Sequence, residues 1–392
     1  MTDTPDFDAL DIDRLRAVGS VKWSVFPEAI GMFVAEMDFG TAPAVTRALR
    51  RSVDSGLLGY LPDPLSDALS QACADWLRTA HGWDVRADRV HPVGDVLRAL
   101  EIAIEFYSRP GSAVILPTPG YMPFLGLPGN KGREVLEVPL ALHGGRRELD
   151  LDALDRAFRA GGHLLVLCNP HNPVGRVLSR AELLAVGEVV TRHGGRVFAD
   201  EIHAPLVLPG ATHIPYASLS PETAAHTVTA MSASKAWNIP GLKCAQLILG
   251  SEADQAVWAR IGPMAGHGAS NLGVIANTVA YTEGGPWLDH VLAYLDGNRR
   301  ILGDLLAEHL PGIGWTPPEG TYIAWLDARG LGLGGHPADF FRERAGVAMT
   351  DGAACGAAGN GFMRFTFATS RPILERAVLQ MAAALRAAGR SG

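Results

Sequence analysis

Three polar side chains stand beyond three successive apolar segments that are predicted to be strands. The turn after "HLLVLC" holds Asn172, "RVFA" is followed by Asp200, and "TVTAMS" leads into Lys235. Ligands in parallel sheets bind beyond the carboxyl ends of the strands, so we expect this amide, carboxylate and amine to meet at one edge. Lys235 lies among serines and bulky apolar residues in a chain that is only 19% charged.

An amide, a carboxylate and an amine are the groups that a pyridoxal phosphate enzyme needs. A lysine amine forms a Schiff base with the coenzyme aldehyde, and an apolar pocket rich in cations lowers its pKa. A buried carboxylate keeps the pyridine nitrogen protonated, so that the ring accepts electrons from the substrate α-carbon. The sequence predicts Lys235 and Asp200 in these roles. It also predicts that Asn172 and His203 form hydrogen bonds with the phenolic oxygen of the coenzyme ring.

The coenzyme phosphate requires hydroxyls, backbone N–H groups and positive charge. Gly94, Asp95 and Val96 lie at the start of a predicted helix, whose free N–H groups and dipole favour an anion. Ser232, Ser234 and Lys243 lie close to Lys235 in the sequence. An acid beside a phosphate is unfavourable unless it points away, so we expect Asp95 to contribute only its backbone. The residues expected around the phosphate are Gly94, Asp95, Val96, Ser232, Ser234 and Lys243.

The elements that must position these groups alternate between helical and extended patterns over residues 41–250, with Thr41 as the expected N-cap of the first helix. Continuous apolar strands between amphipathic helices indicate an α/β fold with a mostly parallel sheet covered on both faces. Beyond residue 285 long helices and fewer strands indicate a smaller α+β domain. We expect an arm over 1–45 that packs with the small domain, a large coenzyme-binding domain over 46–285, and a small C-terminal domain over 286–392.

Composition excludes several classes of function. The net charge is −7, with no basic stripe, which argues against a nucleic-acid partner. The acidic N-terminus lacks a signal-peptide pattern and no apolar run reaches membrane-spanning length, so we expect no membrane partner. The four cysteines are widely spaced and predict reduced thiols in a cytoplasmic protein. The histidines show no ligand spacing, so we expect no metal.

Several motifs, in this order and spacing, carry a resemblance to a known family. "CNPHNPVGRV", "ADEIHAPLV" and "SASKAWNIPGLK" resemble fold-type I pyridoxal phosphate enzymes of the class I/II aminotransferase superfamily. "VKW", "VAEMDF", "LLGY", "TPGYMPF", "GTYIAW" and "GFMRFTFATS" extend the resemblance along nearly the whole chain. "DEIHA", followed by "HIPYASLS", is most similar to the MalY/PatB-type cystathionine β-lyases, also called C–S lyases.

The resemblance implies further roles. Lys235 would also move the substrate α-proton, and Tyr121 would stack on the coenzyme ring. Arg364 would bind the substrate α-carboxylate through two parallel hydrogen bonds from its guanidinium group, with Asn172 also contacting the substrate. Tyr60 would reach the phosphate of the neighbouring subunit in a homodimer with shared active sites. Trp23, Ala35 and the rest of "VAEMDF" would line the substrate entrance.

The reaction expected from this family is α,β-elimination of cystathionine or another S-substituted L-cysteine to thiol, pyruvate and ammonia. An aminotransferase shares every step through the carbanion and stays open as an alternative. Departures from the family pattern at Glu36, Asp95, Lys243 and Cys355 also leave open a tailoring enzyme of secondary metabolism that acts on a cysteine conjugate. A regulatory protein that keeps the fold without turnover is the alternative from another class.

Overall fold

Half of the described α-helices begin at a residue whose side chain caps the helix. Asp95 accepts from the Arg98 N–H, and Ser179 forms a capping box with Glu182. A computed structural model describes residues 6–334 and 336–389. Its α-helices are α1 (Ile12–Val18), α2 (Val21–Ser24), α3 (Pro43–Asp54), α4 (Asp63–His81), α5 (Val96–Phe106), α6 (Met122–Asn130), α7 (Leu151–Arg159), α8 (Arg180–Arg192), α9 (Pro221–Ala225), α10 (Glu252–Ala265), α11 (Asn271–Glu283), α12 (Gly285–His309), α13 (Pro337–Ala345) and α14 (Arg371–Ala387).

The strands are short, and those of the central sheet are mostly buried apolar runs. They are β1 (Ile30–Gly31), β2 (Val90–Val93), β3 (Ala113–Thr118), β4 (Val135–Pro139), β5 (Ala141–His143), β6 (Arg146–Glu148), β7 (Gly162–Cys168), β8 (Arg196–Asp200), β9 (Thr227–Met231), β10 (Ala245–Leu249), β11 (Gly314–Trp315), β12 (Ile323–Asp327), β13 (Val347–Ala348), β14 (Thr350–Asp351) and β15 (Phe362–Thr366).

The central sheet has seven strands in the order β2-β10-β9-β8-β7-β3-β4. β10 runs antiparallel to both β2 and β9, and the other described strand pairs of this sheet are parallel. Alternate residues of each strand face opposite layers of helices: Val166 and Phe198 pack in one core with Leu100 of α5, while Leu165 and Val197 pack in another with α7 and α8. The sheet is therefore covered on both faces, as its apolar strands predict.

A second sheet is antiparallel, in the order β11-β12-β15-β14. The N-terminal segment joins this region through β1, which pairs in parallel with β13. Further bonds run from the Asp38 N–H to the Ala368 carbonyl at 3.1 Å and from the Thr366 N–H to the Met32 carbonyl at 2.9 Å. These contacts bring residues 30–38 against the C-terminal strands; the three-part division of the chain stays a prediction.

The predicted fold class is confirmed, and one local prediction is wrong. Thr41 does not cap α3, because its hydroxyl donates to the Trp237 carbonyl at 2.5 Å and Ala42 takes the cap position. Strand β2 and the hairpin β5–β6 were not predicted from the sequence. Among the described residues, no helix combines the length and apolarity that a bilayer crossing requires.

Candidate active site

The ends of β7, β8 and β9 bring the predicted polar groups into one cavity of about 360 Å³. Cys168 pairs with Asp200, and Asp200 with Ala230, so the turns after these strands start at the same level. Thirteen predicted site residues line this cavity: Val34, Ala35, Asp95, Val96, Tyr121, Asn172, Asp200, His203, Ser232, Ser234, Lys235, Lys243 and Arg364.

The Lys235 amine points at the N-terminal segment. Its Nζ donates to the Ala35 carbonyl at 2.9 Å, and the hydroxyl of Tyr322 donates to the same oxygen at 3.0 Å. Burial and then the nearby Arg364 guanidinium lower the pKa of Lys235 to about 8. About a tenth of this amine is therefore free base at pH 7, far more than for an ordinary lysine with a pKa near 10.4, and the free base is the form that a nucleophile or proton acceptor requires.

Asp200 forms the floor of the cavity and is nearly fully buried. Its Oδ1 accepts from the Ile202 N–H at 3.2 Å, and the thiol of Cys168 donates to Oδ2 at 3.6 Å. Burial raises the pKa of this carboxyl to about 6, against the lowering effect of those two hydrogen bonds. Above that pH the group is a buried anion, suited to hold a cationic ring nitrogen.

Arg364 reaches the cavity from β15 with part of its hydrogen-bonding capacity unused. Nη2 donates to the Phe33 carbonyl at 2.7 Å and Nη1 lies 3.5 Å from Asn172 Oδ1, while the buried Nε has no partner among the described residues. Nδ1 of buried His203 also has no hydrogen-bond partner within the part of the chain that the structure describes. Burial, followed by the charges of Lys235 and Arg364, lowers the pKa of His203 to about 3, so this imidazole is neutral.

Asp95 and Lys243, which also line the cavity, form an ion pair that the sequence did not indicate. Asp95 Oδ1 caps α5 through the Arg98 N–H at 2.8 Å, and Oδ2 lies 2.8 Å from Lys243 Nζ. The carboxylate thus faces Lys243 and caps α5, while the expected backbone contact of Asp95 with the phosphate stays a prediction. The Ser232 hydroxyl donates to the Cys244 carbonyl at 2.7 Å and accepts from the Ser234 N–H at 3.0 Å.

Trp23, Gly94 and Tyr60 do not line this cavity, and neither do Glu36, Met37, Asp38 and Phe39 of the predicted entrance segment. Trp23 is buried, and its indole N–H donates to Asp38 at 2.8 Å, so it anchors the N-terminal segment and does not line the entrance. Gly94 packs against the Gly268 backbone, whose carbonyl oxygen would lie 3.3 Å from an added Cβ. Tyr60 is 94% exposed and lines a separate cavity; its role toward a neighbouring subunit stays a prediction.

Sequence reasoning missed much of the apolar wall of the cavity. Met122 and Pro123 lie within the quoted motif "TPGYMPF" and Phe33 directly precedes "VAEMDF", so these motifs could have indicated them. Leu97 lies in the first turn of α5 and Thr350 lies on the short strand β14. No sequence signal marks Thr350, because it is brought in by the pairing of β14 with β15.

These donors and acceptors fit a ligand with an aldehyde, a basic ring nitrogen and a phosphate. Lys235, Asp200, His203 and Arg364 line one cavity. Nδ1 of His203 and Nε of Arg364 are buried and have no hydrogen-bond partner among the described residues. The N-terminus of α5 and Lys243 supply positive potential to the same cavity. The residues available to hold pyridoxal phosphate are those at the start of α5 together with Lys235, Asp200, Tyr121, Asn172 and His203.

Comparison with known proteins places this arrangement in a family. Residues 27–380 match the family described as aminotransferase class I and II. A cystathionine beta-lyase of Corynebacterium glutamicum is 36% identical, covering 96% of this chain and 99% of its own. The cystathionine beta-lyase PatB of Bacillus subtilis (strain 168) is 34% identical, covering 93% and 96%.

A solved structure supports the same family assignment. The structure of a PLP-bound C–S lyase from Staphylococcus hominis superposes with a TM-score of 0.89 at 28% identity, covering 97% of this chain and 99% of that one. The resemblance inferred from the sequence motifs is thus confirmed by the family match and by relatives of nearly full length. The chain belongs to the class I and II aminotransferase family, in the group of pyridoxal phosphate-dependent C–S lyases.

Proposed function

We propose that the protein is a pyridoxal phosphate-dependent C–S lyase that eliminates the β-sulfur of cystathionine or another S-substituted L-cysteine. The observation that carries this proposal is the convergence of Lys235, Asp200 and Arg364 on one cavity. A thiol has a pKa near 8.5, so a thiolate is a competent leaving group at neutral pH. The products are a thiol, pyruvate and ammonia.

Three side chains, those of Arg364, Lys235 and Asp200, each have a distinct task in this reaction. Bound pyridoxal phosphate supplies an electron-accepting ring that stabilises negative charge at the substrate α-carbon. Arg364, which lines the cavity, binds the substrate α-carboxylate through two parallel hydrogen bonds from its guanidinium group. The Lys235 amine, oriented by the Ala35 carbonyl at 2.9 Å, takes the α-proton. Asp200, ionised above about pH 6, holds the positive charge of the ring nitrogen.

The test of this function is a product assay on the purified holoenzyme. L-cystathionine and S-alkyl-L-cysteines are supplied separately, and pyruvate, thiol and ammonia are measured together. Equal amounts of the three products support elimination. In a parallel assay an amino acid and a 2-oxo acid are supplied as a pair. Amino-group transfer without release of thiol would contradict the lyase function.

An aminotransferase is the second candidate, and the family match favours it independently. It would use Arg364, Lys235 and Asp200 in the same way until the α-proton has been removed. The two functions then differ in where the proton returns, since Lys235 would have to deliver it to the coenzyme. The parallel assay above separates the two functions by their products.

We also propose that the protein is a cytoplasmic homodimer. Leu58 and Tyr60, which are 65% and 94% exposed, line a cavity with Pro263, and the adjacent Met264 is 80% exposed. Exposed apolar surface of this kind is typical of an interface. The four cysteines are free thiols, which supports a reducing compartment.

A further inference from the structure

The proposed phosphate end of the cavity already contains an anion. Asp95 Oδ2 lies 2.8 Å from Lys243 Nζ, and Oδ1 accepts the Arg98 N–H at the start of α5. Both are features that a phosphate group would use: the positive end of a helix and a lysine. The side chain of Asp95 is 36% exposed and that of Lys243 is 62% exposed.

We propose that Asp95 is an internal competitor of the coenzyme phosphate and sets a limit on coenzyme affinity. This inference rests on the proposed function. The helix cap holds the carboxylate in place, whereas the exposed lysine can turn to a second anion. A bound phosphate therefore shares Lys243 with Asp95 and meets the like charge of its carboxylate. Coenzyme loading becomes more readily reversible than it would be with a neutral residue at this position.

The variant that isolates this effect is Asp95→Asn. Asparagine caps a helix about as well as aspartate, so α5 keeps its N-cap while the negative charge is lost. Asp150→Asn is the matched control: Asp150 also caps a helix, α7, through the Ala153 N–H at 2.9 Å, but it does not line the cavity. Asp95→Ser is a second variant that retains a capping oxygen.

The experiment titrates the full-length chain, stripped of coenzyme, with pyridoxal phosphate and with pyridoxal, followed by absorbance. Asp95→Asn should lower the Kd for pyridoxal phosphate about tenfold, as expected for removing one like charge at a partly exposed site. The Kd for pyridoxal, which has no phosphate, should not change. Inorganic phosphate should compete about tenfold more effectively against the variant. Asp150→Asn should match the wild type throughout.

A double-variant cycle tests the sharing of Lys243. Lys243→Gln should weaken pyridoxal phosphate binding more in the Asp95→Asn background than in the wild type, because the lysine is no longer partly neutralised. Equal or weaker coenzyme binding by both Asp95→Asn and Asp95→Ser, in variants whose circular dichroism is unchanged, would overturn the inference. An equal gain for pyridoxal would do so as well. A wild-type chain that binds no pyridoxal phosphate would refute the proposed function instead.

Discussion

At the scale of single residues, the cavity is governed by burial of charge. Burial lowers the pKa of both Lys235 and Arg364, and the charge of Arg364 lowers the pKa of Lys235 further. Burial raises the pKa of Asp200 to about 6 and lowers that of Lys235 to about 8. Desolvation thus moves an acid and a base toward neutrality from opposite sides, which acid–base catalysis requires.

The pH dependence of Lys235 reactivity follows from this shift. Because its pKa is lowered, the neutral amine is the main form above about pH 8 in the coenzyme-free protein. Competitive acylation with peptide mass spectrometry should show Lys235 labelling that rises about fivefold from pH 7 to 8 and levels off above about pH 9. An ordinary lysine continues to gain about tenfold per pH unit until its pKa near 10.4. A Lys235 profile like that would contradict the burial argument.

Arg364→Lys tests the recognition of the α-carboxylate. Lysine keeps the charge but loses the planar fork, so kcat/KM for an S-substituted cysteine should fall about a hundredfold, mainly through KM. Arg329→Lys is the control, since Arg329 pairs with Asp327 at 2.6 Å outside this cavity. If the two variants lost activity to the same extent, Arg364 would not be a specific carboxylate ligand.

At the scale of elements, the predictable part of the site is the part that follows buried strands. β7, β8 and β9 are mostly buried and largely apolar, so their ends and the polar turns beyond them are visible in the sequence. Phe33 and Thr350 were missed because they enter through elements of at most two residues or through irregular segments. The side-chain role of Asp95 was missed because its partner, Lys243, lies 148 positions away in the chain.

A buried ion pair fixes the N-terminal segment, so breaking this pair should lower the stability of the protein. Lys22 Nζ lies 2.9 Å from Asp38 Oδ2, and the two side chains are 0% and 2% exposed. Lys22→Met would leave Asp38 as a buried charge without its partner, so the free energy of unfolding should fall by about 3–5 kcal/mol in urea titrations.

Two further variants show whether this loss comes from the unpaired charge. Lys22→Met combined with Asp38→Asn should recover part of the stability, because no buried charge is then left unpaired. Arg86→Met, in the exposed pair with Asp88, should leave the unfolding curve unchanged. A single Lys22→Met variant as stable as the wild type would show that the ion pair does not anchor this segment.

At the scale of the whole molecule, the exposed apolar surface near Tyr60 predicts self-association. Sedimentation equilibrium should give twice the chain mass of 41.6 kDa. Leu58→Asp places a charge in this surface and should shift the equilibrium toward monomer. Leu142→Asp is the control at a similarly exposed leucine, 57% exposed, in the hairpin β5–β6. A wild-type chain that sediments as a monomer would contradict the homodimer.

The central claim is that the Lys235 amine is the point of attachment of the coenzyme. The most direct measurement is reduction of the pyridoxal phosphate-loaded protein with borohydride, followed by digestion and peptide mass spectrometry. We expect one reduced adduct per chain, on Lys235, and none on a Lys235→Ala variant. An adduct on another lysine, or no adduct on the wild-type chain, would contradict the account.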